Sequence, residues 1–214
     1  MFDLSLPELL KVVSAVLVGL TVHELAHAWA ALRLGDDTPR LMGRLTLNPL
    51  KHVDLIGFIM LVVAGFGWAK PVIINRANLK NPVRDDILIA LAGPVSNLLC
   101  AVLLVFLLKL VVLVPFSSRS LFETVTTVFV MFIYMNISLG LFNLLPIPPL
   151  DGSHLVTNML SLKSAAGAAV YSKYGSFALL GLIVLQWVLK VEILPVGRVV
   201  NWGLRLLLRL AGLL

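Results

Sequence analysis

The stretch that decides the fold is LLKVVSAVLVGLTVHELAHAWAALRL, residues 9–34. At roughly 1.5 Å per residue it is long enough to cross a bilayer, and it is apolar almost throughout. Its second half nevertheless carries His23, Glu24 and His27. The remainder of the chain is equally apolar: 59% of its 214 residues are hydrophobic and only 13% are charged, with a mean hydropathy of +1.00. A soluble domain is about half apolar and roughly a quarter charged. A core this large could not be wrapped in a polar surface, so a polytopic membrane protein is expected in preference to a greasy soluble bundle.

Further apolar runs support that reading. Residues 87–115 and 121–145 read as spans, joined by a tight polar connection at 117–120, and another span is expected over about 174–191. Residues 55–68 are apolar but short and punctuated by Gly57, Gly65 and Gly67, which suits a re-entrant element between the first two core helices. The segment Pro146-Ile147-Pro148-Pro149-Leu150-Asp151-Gly152 breaks the helix before it. The tail 195–214, with Arg198, Arg205 and Arg209, suits a basic amphipathic helix lying on the membrane or dipping into it. The expected fold class is therefore all-α and polytopic, with about four to six transmembrane helices around the buried polar residues of the first span and a short re-entrant hairpin or loop. A single domain is expected over 1–214, with a core at about 9–160 and C-terminal helices at about 172–214. Residues 1–8 have no basic run, and no small-residue cleavage site follows the first apolar run. The first segment is accordingly expected to stay as a span.

The net charge is +6 and the pI about 9.8. No run of Lys and Arg with interleaved aromatics points to nucleic acid, and a basic balance in a membrane protein reflects cytoplasmic loops. The single cysteine, Cys100, excludes an internal disulfide and reads as a small apolar-environment residue. Seven of the 17 Lys and Arg fall at 35–54 and 69–86, either side of the short apolar element, which is expected to place both stretches in the cytoplasm. Residues 9–34 then run inward, 87–115 outward and 121–145 inward. Asp151 therefore arrives on the same side, and at the same depth, as His23 and His27.

His23-Glu24-Leu25-Ala26-His27 places two imidazoles four apart on one helix face, a spacing that suits one zinc ion. Glu24 is placed to take a proton from an attacking water and hand it to the leaving amine. Ionisable groups in a spanning helix are costly, which marks them as functional in preference to a polar packing patch. A third ligand is needed, and Asp151 in its Pro/Gly segment is the best candidate, although Asp-Gly is also a common turn pair. His154 and His52 are rivals, read as loop residues near the site. Asn97 and Asn143 could donate to a developing oxyanion or hold a substrate strand; interhelical hydrogen bonding is the equal alternative.

These residues carry a resemblance. His23–27, Leu47-Asn48-Pro49-Leu50-Lys51-His52-Val53-Asp54, Gly67-Trp68-Ala69-Lys70-Pro71-Val72, residues 92–97 and residues 143–152 come in the order found in the site-2 protease family of intramembrane zinc metalloproteases. The resemblance covers roughly residues 15–160. It implies one Zn2+ on His23, His27 and Asp151, Glu24 as base, both asparagines near the site, and a substrate that is a transmembrane segment of another protein. Two departures stand in the re-entrant region: Ile73 follows Val72, and Leu55 follows Asp54, where relatives often have proline. The chain has no PDZ or CBS module, so regulation by peptide sensing or nucleotide binding within it is not expected. The expected location is a prokaryotic inner membrane with the site toward the cytoplasm. Because a spanning helix hides its carbonyls, the substrate must unwind, and residues 57–72 are expected to form a hairpin or loop that pairs with the extended strand. Trp29, Trp68, Trp187 and Trp202 read as interface anchors or packing residues. The competing reading is a zinc-binding scaffold or metal transporter without proteolysis. A transporter needs a polar path to the outer face, yet the outward halves of 87–115 and 121–145 are nearly pure Leu, Val and Phe.

Overall fold

The computed structural model describes residues 5–64 and 67–214, without the side chains of Ala64 and Trp187. The expectations for Asp3, Gly65 and the Trp187 side chain lie outside the described residues. Helix α1 (Leu6–Leu34) starts at Ser5, where Ser5 and Glu8 form a capping box, and stops at Gly35 with φ 110°, a left-handed cap that glycine favours. A single turn, α2 (Thr38–Leu41), follows. Helix α3 (Leu55–Ala64) is ten residues long, about 15 Å, and too short to span. The expected hairpin or loop is thus helical in its first limb. Its return is fixed by an antiparallel bridge between Val53 and Ala69 and by Lys70 N–H donating to the His52 carbonyl at 2.8 Å.

Helices α4 (Pro82–Val112) and α5 (Arg119–Asn143) cross the expected spans with shifted ends. The α4 start moves back from 87 to Pro82, because proline suits the first helical position and a first turn tolerates Asp85. Asn97 therefore lies near the α4 midpoint. Helix α6 (Ser153–Lys163) occupies a stretch where no element was expected. Helix α7 (Ala165–Leu189) begins nine residues earlier than expected. Ser164 alone separates the two, and its side chain accepts from Gly167 N–H as the α7 cap. Among the described residues, four helices are long and apolar enough to cross a membrane: α1, α4, α5 and residues Ala165–Gln186 of α7.

Helices α1, α4 and α5 pack mutually as a trio. Small residues let them approach: a Cβ on Gly19 of α1 would stand 2.6 Å from Leu139 Cδ1 on α5. Helix α8 (Val196–Leu210) presents Val200 and Leu208 to a core shared with Ala101 and Val105 of α4 and Ile133 and Ile137 of α5. Its arginines Arg198, Arg205 and Arg209 stay exposed on the other side. The amphipathic helix expected in the tail is present, and the residues of its apolar face that are buried lie against protein.

Below the trio two polar ties hold the loops. The buried Arg44 guanidinium donates to the carbonyls of Lys51 (2.5 Å), Lys70 (2.7 Å) and Pro71 (2.5 Å). Asp36, fully buried, accepts from Thr38 N–H and hydroxyl, Asn75 N–H and the Asn78 amide. Burial raises the Asp36 pKa, but these donors outweigh it and hold the carboxyl below its ordinary value.

Candidate metal centre

Helical periodicity puts His23 and His27 on one face of α1, and both are buried, with ring centroids 4.6 Å apart. The third group comes from the irregular segment between α5 and α6. That segment folds back on itself: Gly152 N–H donates to the Asn143 carbonyl at 2.7 Å, and any Cβ at 152 would lie 2.2 Å from the Leu144 carbonyl oxygen. The turn delivers Asp151, whose Oδ2 lies 3.0 Å from His23 Nε2 and 3.4 Å from His27 Nε2.

The neighbours fix both imidazole tautomers. Asn97 Nδ2 donates to the Gly19 carbonyl at 2.9 Å and to Asn136 Oδ1 at 3.0 Å. Its Oδ1 is thereby turned toward His23 Nδ1, 2.6 Å away. An amide oxygen only accepts, so His23 carries its proton on Nδ1 and keeps the Nε2 lone pair. The Ile89 carbonyl, 2.7 Å from His27 Nδ1, imposes the same tautomer there. Two imidazole lone pairs and a carboxylate oxygen then converge, and Asp151 Oδ2 is buried without a good hydrogen bond to satisfy it. Such a set repels itself unless a cation lies between its members. The three atoms lie within 4.8 Å of one another. Zinc at about 2.0–2.1 Å from each of three tetrahedral ligands would separate them by roughly 3.3 Å, so the group fits that ion.

Gly93 completes the geometry. A Cβ there would sit 2.3 Å from His27 Nε2 and 2.7 Å from His23 Cε1, so α4 offers bare backbone to the imidazoles. Glu24 lines the same cavity of about 500 Å³, walled by Trp68 and Val72, by Phe142 and Asn143, and by Leu150 and Leu179. Trp68, read from sequence as an anchor or packing residue, is thus part of the cavity wall. The Asn97 amide hydrogens are both engaged, and Asn143 donates to its own helix at Leu139 O (3.0 Å) while facing the cavity. His154 lines the cavity but gives its Nδ1 to Asp86 Oδ2 at 2.9 Å. His52 is buried against the Thr46 carbonyl, within the loop region. Sequence reasoning missed Asn136, which a polar side chain in an apolar span could have signalled. It also missed Asp86, whose role depends on elements distant in sequence.

Comparison with known proteins points to the same class of metal chemistry. The profile of peptidase family M50 matches residues 11–185. A Bacillus subtilis (strain 168) protein named "Putative zinc metalloprotease YwhC" is 41% identical over 191 residues, which is 89% of this chain and 83% of that protein. Proteins named "Putative zinc metalloprotease Rip2" match from Mycolicibacterium smegmatis (29% over 182 residues, 81% of this chain and 66% of the relative) and from Mycobacterium tuberculosis strain H37Rv (33% over 150 residues, 66% and 54%). No solved structure matches. With a profile match over most of its length and a relative this similar, the chain belongs to peptidase family M50, the site-2 protease family that its motifs resemble.

Proposed function

We propose that the protein hydrolyses peptide bonds within transmembrane segments of other membrane proteins, using one zinc ion held by His23, His27 and Asp151. The observation that carries this reading is the convergence of three metal-accepting atoms inside a bundle of spanning helices, beside a carboxylate and a cavity of about 500 Å³. When bound, zinc supplies Lewis-acid polarisation of the scissile carbonyl and the attacking water. Glu24 removes the proton from that water and delivers it to the departing amine. Asn97, with Asn136 behind it, positions His23 and has no amide hydrogen left for an oxyanion. Asn143 faces the cavity and contacts the substrate chain there.

The substrate reaches the site as an unwound strand. Residues 67–75 carry no helix or named strand and run along the cavity through Gly67, Trp68, Ala69, Pro71, Val72 and Ile74. Their backbone offers an edge for pairing with extended substrate. Basic loops at 35–54 and 69–86 favour a cytoplasmic orientation for this side of the molecule. The protein then works as an integral component of the cell membrane.

The test is cleavage of a single-span substrate by purified protein in detergent, comparing wild type with Glu24→Gln and measuring zinc in both. Cleavage within the span by wild type, with a variant that keeps zinc but does not cut, is the expected result. Stoichiometric zinc with no cleavage of any of several spans would move the scaffold reading ahead. No zinc uptake would overturn the ligand assignment.

A further inference from the structure

Helix α6 begins two residues after Asp151, so its docking sets where the third ligand stands. It packs beside α7, and among the described residues neither of the two buried hydrophobic clusters includes a residue of α6. Its polar support converges on one atom. His154 Nδ1 (2.9 Å) and Asn158 Nδ2 (2.7 Å), one helical turn apart, both donate to Asp86 Oδ2. Asp86 is buried on α4, and Arg76 closes the cluster with Nε on Oδ1 (2.8 Å) and a terminal nitrogen on Oδ2 (2.6 Å). His154 N–H in turn donates to the Asp151 carbonyl at 3.0 Å. One α4 turn further on, Ile89 offers the carbonyl that orients His27.

Resting on the zinc-protease reading above, we propose that Asp86 is the positioning residue of the metal centre: by latching α6 to α4 it holds Asp151 at the distance from His23 and His27 that a metal requires. The first turns of α4 then fix two of the three ligands against each other, one through the Ile89 carbonyl and one through the Asp86 carboxylate. Arg76 neutralises the buried carboxylate and ties the loop after the re-entrant element into the same cluster. Asp86 needs no contact with the metal or the scissile bond for this role.

The test uses full-length protein in detergent. Zinc affinity is measured by competition with a chromophoric chelator, and the visible spectrum of the Co2+-substituted protein reports the ligand set. Asp86→Asn is expected to weaken zinc binding by about tenfold to a hundredfold, the range for partners that orient a metal ligand. Its cobalt spectrum should move toward that of Asp151→Asn, a signature that general destabilisation would not produce. The exchange variant D86N/N158D, which returns a carboxylate to the cluster, should recover most of the affinity. Asn158→Ala leaves the Asp86–Arg76 pair in place and guards against a folding failure; it should cost about threefold to tenfold. Wild-type affinity and spectrum in D86N and N158A would overturn the proposal. So would weakened binding with an unchanged cobalt spectrum. Failure of the wild type itself to bind zinc would instead overturn the reading on which the proposal rests.

Discussion

Replacing Gly93 with alanine adds one methyl carbon 2.3 Å from His27 Nε2, 2.6 Å from His27 Cε1 and 2.7 Å from His23 Cε1. Ordinary van der Waals contact for a Cβ begins at 3.4 Å, so the His27 ring must retreat by about 1.1 Å. Metal–ligand distances tolerate about 0.2 Å. Two movements could relieve the overlap. The rings could turn, which breaks the bonds from His23 to Asn97 and from His27 to the Ile89 carbonyl. Alternatively α1 and α4 could separate, which draws the same bonds apart. Each such partner is worth about tenfold to a hundredfold in metal affinity. The G93A variant should therefore bind zinc at least about a hundredfold more weakly than wild type by chelator competition, while circular dichroism shows its helices intact. Gly181→Ala is the matched control, since nothing lies within 4 Å of a Cβ there; it should leave zinc binding unchanged. Zinc affinity of G93A within threefold of wild type would refute the close approach of α4 to the imidazoles.

Asn97→Leu removes the acceptor at His23 Nδ1 and leaves the Gly19 carbonyl and Asn136 without their donor; zinc affinity should fall about tenfold to a hundredfold, measured by the same competition. Asn136→Leu should cost less affinity than Asn97→Leu, because it reaches His23 only through Asn97. Asp36 has a depressed pKa in the folded protein, so its stabilising contribution is complete above the unfolded carboxylate value near 4 and is lost as the pH falls toward its folded value. Thermal unfolding should accordingly show a steeper loss of stability below about pH 4 in wild type than in Asp36→Asn, and identical acid limbs would remove Asp36 from that role. Arg44→Met leaves three carbonyls without their shared donor and should raise hydrogen exchange at Lys70 N–H, which the Val53–Ala69 bridge region otherwise protects.

How much of this was legible depended on the range of each interaction. His23, Glu24 and His27 sit within one and a half helical turns, so local periodicity alone placed them together. Asp151 was reached by a longer route, through loop charge and the direction of successive spans. The four long helices were visible because a bilayer demands some 20 apolar residues from each. Helix α6, at 11 residues, lies below that length, and its Ser, Thr and Asn resemble a loop. The α4 start was misplaced because Arg84, Asp85 and Asp86 were read as the end of a polar stretch, whereas a helix can absorb charges in its first turns. The orientation of the Asn97 amide depended on Gly19 and Asn136, 78 and 39 residues away, and no spacing within one segment carries that information.

Arg44 holds the base of the re-entrant element by gripping main-chain oxygens and, among the described residues, no acidic side chain. Its specificity is therefore for the path of the chain. Positions 51, 70 and 71 contribute carbonyls that every amino acid possesses, so they can drift in sequence without loosening the grip, provided the backbone keeps its course. Position 44 has no such freedom. A guanidinium spreads its donors over separate nitrogens, whereas a lysine ammonium would have to gather all three oxygens around a single atom. The asymmetry makes this corner of the molecule tolerant in its contacts and exacting in its clasp: one invariant requirement governs a segment otherwise open to change.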